Sequence, residues 1–135
     1  MVDTTQPIPG SHIDLLESTA LAHVATVGPG GEPQSNPVWF GWDGEHVMFS
    51  QTTTRQKYRN VQREPRVALS IVDPSNPYRY LEIRGVVERI DPDPKFAYIN
   101  SMAKKYMGMD VYPNIQPGEE RVVVVVHPEH TTVMG

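Results

Sequence analysis

The stretch His46-Val47-Met48-Phe49-Ser50-Gln51-Thr52-Thr53-Thr54-Arg55-Gln56-Lys57-Tyr58-Arg59-Asn60-Val61-Gln62-Arg63-Glu64-Pro65-Arg66-Val67-Ala68-Leu69 passes from strand to helix and back to strand. His46 to Ser50 is a short apolar run rich in β-forming residues and reads as a strand. From Arg55 to Arg63 the period changes: Tyr58 and Val61 are three apart, and Arg55, Arg59 and Arg63 are four apart, which is the signature of a short amphipathic helix. Pro65 ends that helix, and Arg66 to Val72 gives the next strand, closed by Asp73-Pro74-Ser75-Asn76-Pro77.

Upstream, Ser11 is placed to cap a brief helix through Leu15, Leu16 and Glu17, with Asp14 as the acidic partner three residues on. Residues 1–10 read as a loose start. Ala20 to Val27 is a mostly buried strand and Gly28-Pro29-Gly30-Gly31 a turn. A second strand runs from Pro33 through Trp42, and Asp43-Gly44 supplies the hairpin into His46 to Ser50. Downstream, Tyr78 to Ile90 is a long strand halted by Pro92 and Pro94, and Phe96, Ile99, Met102, Ala103 and Tyr106 set a helix over Lys95 to Met107. After a loop through Pro113 and Pro117, Val122-Val123-Val124-Val125-Val126 reads as a strand buried on both faces. A second copy of the chain, giving a two-fold dimer, is the favoured cover for its outer face; a helix of the same chain is the alternative.

These elements fit within 135 residues, the size of one domain, so the chain is read as a single unit over 1–135. No apolar run approaches the roughly 18 residues a spanning helix needs, and the N-terminus lacks the basic and apolar regions of a signal peptide, so a cytoplasmic protein without membrane insertion is expected. The absence of cysteine removes disulfides, thiolate nucleophiles and cysteine metal sites. The net charge of -4 is unevenly spread: residues 1–54 hold no Lys or Arg, whereas Arg55, Lys57, Arg59, Arg63 and Arg66 face only Glu64 over residues 55–66. Such a patch suits a localised anion, and the acidic remainder argues against nucleic acid.

Thr52, Thr53 and Thr54 bring hydroxyls and backbone N–H groups to a helix start whose first turn carries Arg55 and Lys57. Cations there oppose the helix dipole by a few tenths of a kcal/mol, a cost that a bound phosphate reverses. The alternative is a solvated basic face with Glu64 pairing locally. His127-Pro128-Glu129-His130 looks like a metal cluster, but Pro128 enforces extended backbone and spacing supplies no third ligand, so no metal is expected. His23, set among apolar residues, reads as a core histidine, and His12 and His46, at element ends, read as exposed. No Gly-rich dinucleotide loop and no serine elbow is present, so a cofactor is expected to carry the chemistry.

The strand meander, the Thr-rich turn, the basic helix and Pro65-Arg66-Val67-Ala68-Leu69 together resemble the flavin-binding split-barrel superfamily of pyridoxamine phosphate oxidase. More narrowly, Pro33-Gln34-Ser35-Asn36-Pro37-Val38-Trp39-Phe40 and Arg55-Gln56-Lys57-Tyr58-Arg59-Asn60-Val61 resemble the F420-dependent deazaflavin oxidoreductases. The resemblance implies a mainly β, six- to seven-stranded antiparallel split barrel with short flanking helices. It implies phosphate binding by Arg55, Lys57 and Asn60, with Ser35, Asn36, Pro37, Val38, Ser50, Gln51 and Thr52 lining the deazaflavin and its ribityl chain. Arg59 or Arg63 are candidates for the acidic tail of the cofactor. A homodimer with interfacial sites is also implied, Tyr78 and Tyr80 closing the pocket from the second chain or serving as ordinary cross-strand packing. The arginine-containing C-terminal signature of true pyridoxamine phosphate oxidases is missing from Thr131-Thr132-Val133-Met134-Gly135, which favours the F420 branch. The expected activity is hydride transfer from reduced F420 to an unsaturated or quinone-like molecule. An FMN-dependent oxidase or reductase, a non-catalytic F420 carrier and a haem binder using His127 or His130 are the rivals.

Overall fold

The computed structural model of the chain describes residues 7–135. Strands β1 (Ala22–Val27), β2 (Pro33–Val38), β3 (Gly41–Trp42), β4 (Val47–Thr52), β5 (Arg66–Asp73), β6 (Asn76–Pro92) and β7 (Arg121–Met134) form one antiparallel sheet in the order β2-β1-β5-β6-β7-β4-β3. Helices α1 (Ile13–Leu16), α2 (Gln56–Arg63) and α3 (Ala97–Met107) flank it.

Strands β2 and β3 stand at opposite ends of that order, yet only Trp39 and Phe40 separate them in sequence. Laid flat, seven strands spaced by about 4.8 Å would hold the two edges roughly 29 Å apart, whereas the three residue steps from Val38 to Gly41 reach about 11 Å at most. The sheet therefore curls until its edges meet, which is the split barrel expected from the sequence. Val24, Val47, Phe49, Leu69, Ile71, Leu81, Ile83, Val124 and Val126 fill its interior, each fully buried. Their alternation with exposed or half-buried neighbours along β1, β4 and β5 is the period-2 pattern of a one-sided strand.

Several local expectations change. The segment expected as one strand over 33–42 breaks at Trp39 and Phe40, where the chain crosses from one edge of the sheet to the other. The last strand runs through Pro128 to Met134, because Pro128 sits at a register shift where β7 bulges at Glu129, opposite Arg84 and Gly85 of β6. Ser11 does not cap a helix; its hydroxyl meets His12 Nδ1 at 2.8 Å, and His12 is buried, with Nε2 3.0 Å from the Met134 carbonyl. His46 is half-buried, and His23 is exposed on β1, so the roles expected of these three histidines are reversed. The loose start expected over 1–10 lies, for residues 1–6, outside the described residues; Ile8 is buried in the core, and the Pro7 carbonyl accepts from Thr131 Oγ1 at 3.0 Å.

The valine run is buried on both faces, as its composition demands, but the cover is intramolecular. Val122, Val124 and Val126 belong to the main core, while Val123 and Val125 are buried on the side where α3 lies. There Tyr98 of α3 donates to the carbonyl of Met48, the register partner of Val125, at 3.1 Å. The run by itself thus supplies no reason for a dimer.

Candidate functional site

The seam where the barrel edges meet opens into a cavity of about 490 Å³. Asn36, Pro37 and Val38 come to it from β2, Ser50, Gln51 and Thr52 from β4, and Arg55 and Lys57 from the entry into α2. Residues that are remote in sequence meet here because β2 and β4 approach only when the sheet closes.

The five cations of the basic segment divide sharply. Arg59 donates to the Thr54 carbonyl and to Gln56, Arg63 donates to the Val27 carbonyl, and Arg66 pairs with Glu64. Arg55 and Lys57 have no carboxylate or hydrogen-bonded side-chain partner among the described residues, and both line the cavity. Lys57 is only 7% exposed, with Nζ 5.8 Å from the centroid of the Phe49 ring. Burial, and then the positive charge of Arg55, push the Lys57 ammonium down to about 8. A buried ammonium facing a cavity without a counter-charge is costly unless an anion joins it. Beside it, the buried Thr52 Oγ1 has no hydrogen-bond partner among the described residues.

Asn60 lies fully buried behind this wall. Its amide donates to Thr26 Oγ1 at 3.0 Å and to Gln34 Oε1 at 3.1 Å, and its oxygen accepts from Gln56 at 2.8 Å. It fixes α2 against β1 and β2 and is not part of the cavity lining. Ser35 is exposed, one step out of phase with Gln34 and Asn36 on β2. Tyr78 is 79% exposed and Tyr80 half-buried, and neither lines the cavity of its own chain.

Part of the wall was not signalled by motif. Trp39 stacks on Tyr106 with ring centroids 5.2 Å apart and meets Tyr112 edge-on at 5.8 Å. Tyr106 is itself anchored, its hydroxyl donating to the Ala20 carbonyl at 2.7 Å and accepting from the Phe40 amide at 3.2 Å. Arg121, at the start of β7, also lines the cavity, pairing with Glu119 and donating to Ser50 Oγ at 3.1 Å. The tryptophan was visible as part of a quoted motif, but Tyr112 and Arg121 sit in segments whose sequence gives no hint of a site. The cavity therefore has an aromatic flank and a cationic end.

A curled antiparallel barrel with a cationic, aromatic-flanked cavity at its seam defines a cofactor-binding split barrel. The chain belongs to the pyridoxamine 5'-phosphate oxidase family, whose model matches residues 9–135. Among solved structures it is similar to an F420 reductase, with 46% identity over 93% of this chain and 98% of that one and a TM-score of 0.84. It is also similar to the conserved hypothetical protein Rv2991 from Mycobacterium tuberculosis, with 23% identity over 99% and 89% of the two chains and a TM-score of 0.74. A putative pyridoxamine 5'-phosphate oxidase from Listeria innocua shares 20% identity over 91% and 94% of the chains at a TM-score of 0.67. These last two likenesses concern the fold alone. No match is found among curated proteins.

Proposed function

We propose that the chain is an oxidoreductase that binds coenzyme F420 in the seam cavity and uses its reduced form to reduce an unsaturated or quinone-like small molecule. The observation that carries this reading is Lys57, a buried cation without a counter-charge on the cavity wall, next to the equally unpaired Arg55. Similarity to the F420 reductase supports the choice of cofactor. The residues fit such a group: Thr52 Oγ1 is an orphaned buried hydroxyl, and Arg55 and Lys57 offer charge to a phosphate.

In this reading Arg55, Lys57 and Thr52 hold the phosphate, while Asn36, Pro37, Val38, Ser50 and Gln51 line the remainder of the cofactor. Ser35 and Asn60 act at one remove, Asn60 by holding Gln34 and Gln56 in place. When bound, reduced F420 supplies the hydride. The chain's own part is to fix the cofactor at its charged end, to shield one flank of the cavity from water with Trp39, Tyr106 and Tyr112, and to leave the other side open for substrate. No helix among the described residues is long and apolar enough to cross a membrane. We place the protein in the cytoplasm as a homodimer, with Tyr78 and Tyr80 reaching the neighbouring subunit's site.

The family match favours FMN as the second reading. Titrating the apo protein with F420 and with FMN, while following tryptophan fluorescence, separates the two. Trp39 is in the cavity wall and is expected to be quenched by the bound cofactor. Tighter binding of F420 than of FMN supports the proposal, and the reverse order replaces it with the FMN reading. A protein that binds F420 yet leaves a panel of enones and quinones unreduced is a carrier.

A further inference from the structure

His46, Glu88 and His127 come from three different segments, and their ligand atoms all lie within 4.8 Å of one another. The fold builds this juxtaposition. Val47 on β4 faces Val126 on β7, so the residues just outside that pair, His46 and His127, are neighbours, with ring centroids 6.1 Å apart. Glu88 is the extra residue where the β6–β7 register shifts between Val87 and Arg89, and its Oε2 lies 2.9 Å from His46 Nε2. Bulges of this kind re-aim a side chain that a regular strand would place elsewhere.

The half-buried His46 ring is already oriented. Its Nδ1 lies 3.3 Å from Asp43 Oδ2, and Asp43 is fixed by the turn, its Oδ1 accepting from the Glu45 and His46 amides at 2.8 and 2.6 Å. A carboxylate on one ring nitrogen holds the other free to ligate, the usual outer arrangement around a zinc-bound histidine. The His127 ring has no hydrogen-bond partner among the described residues. Arg89 Nη1 lies 3.2 Å from Glu88 Oε2, but Arg89 also pairs through Nε with Asp91 at 3.0 Å and can keep that contact alone.

We propose that His46, Glu88 and His127 form a zinc-type divalent metal site, separate from the cofactor cavity. Two imidazoles and one carboxylate suit a borderline ion such as zinc and leave a fourth position for water. Ligand atoms about 2.0–2.1 Å from a tetrahedral ion stand roughly 3.3 Å apart, so small side-chain rotations suffice. Glu88 and Asp43 together balance the two charges of the ion. Ser50 stands four residue steps beyond His46, about 13 Å along the strand, so the ion lies beyond the cavity and its role is to clamp β4, β6 and β7 together.

The test uses the tag-free chain, stripped with a chelator and titrated with zinc chloride by calorimetry and thermal unfolding. One ion per chain and a saturable rise in Tm are expected. His127→Ala and His46→Ala abolish both, while His130→Ala retains both. Asp43→Asn keeps the turn acceptor and weakens zinc affinity by about 10–100-fold. Absence of saturable binding overturns the site, as does a wild-type response in His127→Ala, which would place the ion elsewhere.

Discussion

At the scale of single residues, the decisive group is Lys57. Of the cations clustered in residues 55–66, it is the one that is buried, and the charge of Arg55 repels it. Lys57→Ala is expected to weaken cofactor affinity by roughly tenfold or more, the loss of a charge-assisted hydrogen bond worth about 1.5–3 kcal/mol. Lys104→Ala is the control, because Lys104 is exposed and paired with Asp110 at 3.0 Å; equal effects in a binding titration would remove the phosphate assignment. Because the Lys57 ammonium is held at about 8 in the free protein, anion affinity should fall as pH rises through that value. Lys57→Arg, which stays charged, should flatten that fall. The sign for folding is opposite. Between about 8 and the ordinary 10.5 the unfolded chain holds a proton that the folded chain has lost, so this group makes the apo protein more stable as pH rises across that window. Thermal unfolding of the wild type and of Lys57→Gln, compared at pH 7 and 9.5, checks this, since the glutamine variant should lose that part of the pH dependence.

At the scale of elements, β6 holds the barrel together through its irregularities. It pairs with β5 on one side and β7 on the other, and its register with β7 shifts twice, at Glu129 of β7 and at Glu88 of β6, which bends the pair around the core. Gly85 sits at the first shift because a β-carbon there would stand 2.3 Å from the His127 carbonyl oxygen and 3.2 Å from Val126 Cγ1. The obstacle is backbone, so it cannot be relieved by a side-chain rotation. Gly85→Ala is therefore expected to destabilise the fold by about 1–3 kcal/mol, read as a lower urea midpoint, and an unchanged midpoint would show that β6 and β7 can separate there without cost. Helix α3 shows a different kind of irregular ending. Its first turn is served by Asp93, whose carboxylate accepts from the Tyr98 and Ile99 amides, although Asp93 stands outside the helix. The helical stripe was legible in the sequence, but this distant cap was not.

At the scale of the molecule, the proposed dimer is a matter of surface. The valine run is covered by its own chain, so the case for a second subunit rests on exposed apolar groups elsewhere. Val72 and Tyr80 are register partners across β5 and β6, Tyr80 and Met134 across β6 and β7, and Tyr78, Val133 and Met134 are all exposed. Exposed apolar groups of this kind support the second subunit proposed above. Sedimentation should give a dimer for the wild type, and Tyr78→Asp with Met134→Glu should shift it toward monomer while weakening F420 binding. A monomeric wild type with full cofactor affinity would confine the site to one chain.

What the sequence determined by itself was local. The apolar, β-forming run of His46 to Ser50, the helical spacing of Arg55 to Arg63 and the all-β-branched Val122 to Val126 determined element types, because periodicity and backbone preference act over a few residues. The concentration of positive charge after residue 54 likewise pointed to an anion site. Arg59 and Arg66 find partners within five residues, but tertiary structure brought Arg63 to the Val27 carbonyl and left Lys57 buried on the cavity wall beside Arg55. It also decided that Pro33 to Trp42 splits to join the two edges of the sheet, that α3 covers the valine strand, and that Tyr112 and Arg121 reach the cavity. It brought His46, Glu88 and His127 together, a set that no spacing along the chain announces. These tertiary outcomes depend on segments distant in sequence becoming neighbours around the curled sheet, and no local pattern encodes that closure.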